Sequence, residues 1–504
     1  MPTARSWTEW RDAVADLGHL LRFRAATVRR RRTTAVAGAV LLALTAGSAV
    51  VPAWVDRAPE EVDRVAGLLP AYLLALVALS VTTAVASGGG REVLARDAAA
   101  VHPVSPLTDH LGALVLAPLS AAWLLQTWFL LGAVALVVGP HPGRLAAAQS
   151  VALLWVACAT ACGQVVGWLG EWLRRGPRGV LVVRSLIGAV LLVVGAVGLL
   201  PDLRTGLVAG PARWTAEVLR GDGPAALAVV LLAPALAVLV VAGGYAARLA
   251  ARRVPRDESR LESRSYPARP SAASDLAALV RTDRGSIWRS VPVRRGTVFL
   301  ALAPGVVALA YPLTWNTLVI LPGLVVSGCV LLFGVNVWAL DGRGLLWRET
   351  LPVSPDVTLL ARGWVLAELL LGAGLVTVVL GAVRAGLPAG AELVAVGAAL
   401  VVVTGQALSG GLRWSMGSPY AVDLRSARAT PAPPLVMVGY STRLALATTA
   451  TSLLLAAFAE AGRPDRVLVA AAVLLAWSAV RIAGVRRRWR DPVQRARVVA
   501  TVTA

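Results

Sequence analysis

Apolar residues in this chain gather into runs of roughly twenty, each closed by a charged or Pro/Gly-rich turn, the length a helix needs to cross about 30 Å of hydrocarbon. The pattern predicts spans at roughly 34–55, 65–87, 109–138, 145–172, 179–200 and 224–249. A second set follows at roughly 297–313, 317–340, 359–381, 391–412, 435–459 and 466–484. The expected fold class is an all-α polytopic membrane protein of about 12 transmembrane helices.

A polar, basic stretch containing Pro255, Pro267 and Pro270 separates the two sets. The predicted organisation is a cytosolic amphipathic segment 1–33, a six-span half 34–251, a basic linker with an interfacial helix 252–296, a second six-span half 297–484 and a basic tail 485–504. An even number of crossings brings both halves in from the same side. They are therefore expected to be parallel repeats related by a twofold along the membrane normal.

Short matches support the duplication. Pro103-Val104-Ser105-Pro106 and Pro352-Val353-Ser354-Pro355 occur once in each half, in the turn after the second span. Asp16-Leu17 with Leu20 and Arg22 is answered by Asp275-Leu276 with Leu279 and Arg281, before the first span of each half. Gly163-Gln164 pairs with Gly405-Gln406, and Arg184 with Arg443.

In each tetrapeptide the serine is suited to cap a helix, the second proline to its first turn, and Asp109 or Asp356 to the positive helix end. Ahead of each half, Trp7, Trp10, Val14, Leu17 and Leu21, and then Leu276, Leu279, Val280, Ile287 and Trp288, recur at helical spacing. Both read as helices lying along the inner interface.

Composition sharpens this picture. The chain is 57% hydrophobic, and its 49 basic residues, all arginine, outnumber 28 acids. Threaded from a cytosolic N-terminus, most arginines fall on the cytosolic side, including Arg486, Arg487 and Arg488, so the charge sets topology and favours lipid headgroups instead of nucleic acid. Cys158, Cys162 and Cys329 all lie inside apolar runs, which argues against a disulfide framework or a metal site. Both termini are expected in the cytosol.

The paired motifs resemble those of membrane subunits of type-2 ATP-binding-cassette exporters, whose six-span units carry an amphipathic helix before span one and a Pro-Val-Ser-type motif between spans two and three. Trp347-Arg348-Glu349-Thr350-Leu351-Pro352-Val353-Ser354 is the closer match, since Ala98 to His102 precede the first copy and no acid there answers Glu349. The resemblance implies a permease of the bacterial plasma membrane that moves a hydrophobic or amphipathic substrate outward. It implies that Pro103, Val104, Ser105, Pro106, Glu349, Pro352, Val353, Ser354 and Pro355 touch a separate ATPase subunit, in two copies, which would hold the ATP and Mg. Duplication suggests one chain forming a pseudodimer, with a dimer of the chain left open.

No Gly-x-x-x-x-Gly-Lys-Ser/Thr loop exists in a chain without lysine, so the chain is not expected to be an enzyme by itself or to bind a cofactor. Within the spans, Glu368 and Arg443 are candidates for a substrate path or for an ion pair inside the bundle. Between the fifth and sixth spans, Pro201 to Asp222 form the longest outer segment, which in the family holds short helices. Two other readings stay open. One is a secondary transporter of major-facilitator-like architecture, which Asp341-Gly342-Arg343-Gly344 faintly resembles. The other is an intramembrane lipid-linked glycosyltransferase, using Asp56, Glu60, Glu61 and Asp63 of the first outer loop.

Overall fold

The structure, a computed structural model, describes residues 4–26, 31–56, 58–86, 104–119, 121–179, 210–221, 223–253, 270–310, 313–421 and 432–504, with scattered positions from 181 to 189. Among the described residues it is helical, without a strand. Eight helices there are long and apolar enough to cross a membrane, a count that rises to nine if a bent pair, Pro106–Leu119 with Trp123–Val138, is one span. The chain is therefore an all-helical, multi-pass membrane type, and its described residues fall into two compact units, one up to residue 253 and one from residue 270.

The eight match the second, fourth, sixth and eighth to twelfth predicted spans. The bent pair stands where the third was expected. Over the first predicted span the chain forms a helix of 20 residues, Arg31–Val50, that runs on into a 3-10 turn, Val51–Trp54, with Pro52 in its first positions. The fifth falls largely outside the described residues. At the seventh, the chain forms a helix of 20 residues, Val291–Ala310, with side chains at several of its positions outside the described set.

The first unit contains α1 (Ala4–Ala26), α2 (Arg31–Val50), α3 (Pro59–Ala86), α4 (Pro106–Leu116), α5 (Ala121–Val138), α6 (Pro142–Arg174), α7 (Pro211–Arg220) and α8 (Ala225–Ala251). Leu69 and Leu73 of α3, Leu130 and Val134 of α5, and Val151 and Trp155 of α6 make its main core. Gly163 lets α3 and α6 cross closely, since a Cβ there would lie 2.5 Å from the Ser80 carbonyl oxygen. Polar side chains bind helices together: Gln149 donates to the carbonyls of Ala49 and Leu131, each at 2.9 Å. Helix α7 lies in the predicted outer segment and buries Ala212, Thr215, Ala216, Val218 and Leu219. It ends at Gly221, whose φ of 91° is the left-handed conformation that a glycine cap provides.

The second unit contains α9 (Asp275–Arg289), α10 (Val291–Ala310), α11 (Leu321–Phe333), α12 (Gly344–Glu349), α13 (Pro355–Ala385), α14 (Gly390–Gly417), α15 (Pro434–Glu460), α16 (Pro464–Arg490) and α17 (Pro492–Thr503). Its core gathers Val326, Val330 and Phe333 of α11, Leu366 and Leu370 of α13 and Ala407 of α14. Helix α16 shows Leu468, Val469, Val473, Trp477 and Val480 on its exposed face, the composition a lipid-facing surface requires.

Beyond α11 the chain continues as a 3-10 stretch, Gly334–Leu340, broken at Asn336 by a non-helical backbone (φ −144°, ψ 72°). A break at membrane depth must have its backbone groups satisfied by protein. Ser415 of α14 does part of this, accepting from the Val337 amide at 3.0 Å, while Asn336 donates to the Tyr420 carbonyl at 2.8 Å. Gly411 brings the two backbones together, because a Cβ there would sit 2.6 Å from the Gly334 carbonyl oxygen.

Candidate functional site

In the second unit, four charged side chains converge beneath the Trp347–Pro355 segment. Arg348 of α12 grips Asp283 of α9 with both terminal nitrogens, at 2.6 and 3.2 Å. Arg362 of α13 reaches Asp283 at 3.2 Å and Asp341 at 2.5 Å. Arg348 is also 3.4 Å from Asp341, which closes a network of two arginines and two aspartates. Asp283 and Arg362 are 0% and 1% exposed, so these charges are held almost entirely by one another.

The network fixes α12 at its base while leaving its tip outside. Leu345 is buried, whereas Leu346 and Trp347 are 55% and 64% exposed. After the tip the chain turns through Pro352, and Ser354 caps α13, its hydroxyl accepting from the Val357 amide at 3.4 Å with Pro355 as first helical residue. Val353 packs against the core.

The end of the chain folds onto the same segment. Asp356 accepts from Arg486 at 2.8 Å and from Arg490 at 2.5 Å, both on α16. Glu349 accepts from Arg495 of α17 at 2.9 Å. Below them Trp338 stacks on Trp489 and lies 5.8 Å from the Arg362 guanidinium, so the stack and the charge network share a wall.

The first unit presents the other tetrapeptide. Ser105 caps α4, accepting from the Thr108 amide at 3.0 Å, and Pro106 opens the helix. Val104 is half-buried, and Pro103 lies outside the described residues. Helix α1 packs on α4 through Leu17 and Leu116, and Glu9 of α1 pairs with Arg248 of α8. Trp10 fills the space beside Gly244 of α8. Trp7 lies in α1, with its side chain outside the described set. His110, fully buried, contacts the Val240 carbonyl through Nε2 at 3.0 Å and occupies the place a side chain at Gly243 would need.

In each unit, then, an amphipathic helix packs against the helix that follows a Val-Ser-Pro cap, α1 on α4 and α9 on α13. On α9, Leu279 is buried, Leu276 is half-buried and Trp288 is exposed.

Glu368 and Arg443 are not brought together. Glu368 forms a two-pronged ion pair with Arg284 of α9, its Nε at 2.8 Å, and accepts from the Trp364 indole at 2.7 Å. Hydrogen bonding to that carboxylate raises the pKa of Arg284, keeping the guanidinium charged. Arg443 is exposed on α15. Asp56, Glu60, Glu61 and Asp63 are all exposed, at or near the start of α3, and no acid, histidine and cysteine group among the described residues has metal-binding geometry.

Asp283, Arg348 and Arg362 were not singled out from the sequence. A signal existed for the first. Asp283 stands in helical register with Leu279 and Ile287, and an acid on a buried stripe requires a buried cation. No family model, curated protein or solved structure matches the chain.

Proposed function

We propose that this chain is the membrane-spanning permease subunit of an ATP-driven exporter of the ATP-binding-cassette class, working with a separate ATPase to move a hydrophobic or amphipathic substrate outward. Its halves are parallel six-span repeats, its termini are cytosolic, and one chain offers two arms to two ATPase copies.

One observation carries the reading. The Trp347 tip is exposed while the residue after it, Arg348, is locked by Asp283 to an amphipathic helix and, through Asp341 and Arg362, to a long apolar helix. A tip that binds a moving partner needs such a base, because a load applied to a loose loop would be absorbed by the loop. Ser105 and Ser354 capping two helix starts support two such arms. The arms are unequal: the acid Glu349, which holds Arg495, has no equivalent before Pro103.

The test is affinity purification of the tagged chain from its native membrane, with companions identified by mass spectrometry and assayed for ATP hydrolysis. A stoichiometric nucleotide-binding ATPase that is lost from the Trp347→Ala variant is the expected result. Its reproducible absence, with transport intact, would make the chain a secondary transporter.

A further inference from the structure

A cavity of about 780 Å³ opens along α9, lined by Ala277, Arg281, Arg284 and Trp288 and closed on another side by Trp364 of α13. Its size falls in the range of roughly 300–1,000 Å³ typical of small-ligand sites. The α9 residues are spaced four, three and four apart, so they form one stripe. The buried stripe of the same helix is Leu279, Val280, Asp283 and Ile287, and Val280 also lines the cavity. The cavity therefore lies in the groove between α9 and α13, walled by the exposed stripe of α9 and floored by Val280 of its buried one.

Its chemistry is amphipathic. Arg284 and Trp364 both hold the Glu368 carboxylate, and Arg281 donates to the Pro270 carbonyl at 2.8 Å. Two guanidinium groups against one carboxylate leave the wall net positive, and two indole rings flank it. The depth also fits. Helix α13 has 31 residues, so it is about 46 Å long against about 30 Å of hydrocarbon. The excess of about 16 Å is enough to carry its first turns, with Asp356 and Arg362, beyond the hydrocarbon and to put Trp364 and Glu368 near headgroup level, where tryptophan is enriched.

We propose that this cavity binds an anionic phospholipid, with Arg281 and Arg284 toward the phosphate and the Trp288 and Trp364 rings against the glycerol and upper acyl chains. A lipid seated there would hold α9 against α13 at the membrane surface. The inference requires that the chain span a membrane and is independent of any ATPase partner, so it is tested on the chain alone.

The full-length protein is exchanged into mixed micelles containing equal amounts of phosphatidylglycerol and phosphatidylcholine, and retained lipid is counted by native mass spectrometry. The protein is expected to retain phosphatidylglycerol preferentially. Arg281→Gln and Arg284→Gln should each weaken that preference by about fivefold, the effect of one basic side chain near an anionic lipid surface. Ala277→Trp fills the cavity from an exposed position with both charges in place, and should abolish retention without moving the melting temperature. Equal retention of both lipids, retention unchanged in Ala277→Trp, or displacement of phosphatidylglycerol by millimolar inorganic phosphate would overturn the proposal.

Discussion

Trp338 and Trp489 lie face to face, their ring centroids 4.1 Å apart and their planes within 7° of parallel, both fully buried. The stack joins the broken stretch after α11 to the last turn of α16, just before α17 begins. Trp489→Ala should cost about 3–5 kcal/mol and loosen α17. Limited proteolysis in detergent should then cleave near Arg490 under conditions that leave the unaltered chain intact.

Asp283→Asn leaves two buried arginines facing Asp341 as their one remaining carboxylate in the network. Breaking a buried pair from one side costs about 3–5 kcal/mol. The melting transition of the purified protein should fall accordingly. Asp283→Asn combined with Arg348→Met removes one charge of each sign and should cost less than the single substitution. An unshifted transition in Asp283→Asn would mean the network carries no stability.

Glu349→Arg combined with Ser354→Pro is expected to abolish ATPase co-purification without unfolding the chain. The first change sets an arginine against Arg495, and the second removes a helix cap worth about 1 kcal/mol. Adding Arg495→Glu to Glu349→Arg alone restores an ion pair of reversed sign. Recovery of co-purification is the expected outcome and would assign Glu349 the role of bracing the arm; continued loss would mean that the partner reads Glu349 directly.

Two glycines of α6 should respond oppositely. A Cβ at Gly163 would meet the Ser80 backbone at 2.5 Å, whereas at Gly170 nothing lies within 4 Å. Gly163→Ala should therefore destabilise by about 1–3 kcal/mol through overpacking. Gly170→Ala should be neutral or stabilising by up to about 1 kcal/mol, since alanine is the better helix former. Thermal unfolding of the two purified variants compares them.

Much of the architecture was legible because membrane helices announce themselves by length and hydropathy. The serine caps were legible because Ser-Pro followed by an acid is a local pattern, complete within a few residues. The charge network was not, because Asp283, Asp341, Arg348 and Arg362 come from separate elements and no periodicity links them. The ion-pair reading of Glu368 holds, but its partner, Arg284, was not legible for a related reason. Arg284 arrives from α9, 84 residues earlier in the chain, and nothing in the apolar run around Glu368 points to it. Trp489 looked like part of a basic tail because three of its neighbours, Arg487, Arg488 and Arg490, are charged; only the opposite side of the helix is buried.

The interruption at Asn336 has a further consequence, for the way this sequence can drift. Ser415 accepts from the Val337 amide and donates to the Gly411 carbonyl, so one small hydroxyl serves two helices. Threonine preserves that hydroxyl at the cost of an extra methyl, alanine loses it, and any side chain at position 411 collides with the Gly334 backbone. Positions 334, 336, 411 and 415 should then change together or hardly at all among descendants of this chain, a correlated signature by which distant kin could be recognised after the spans themselves have diverged.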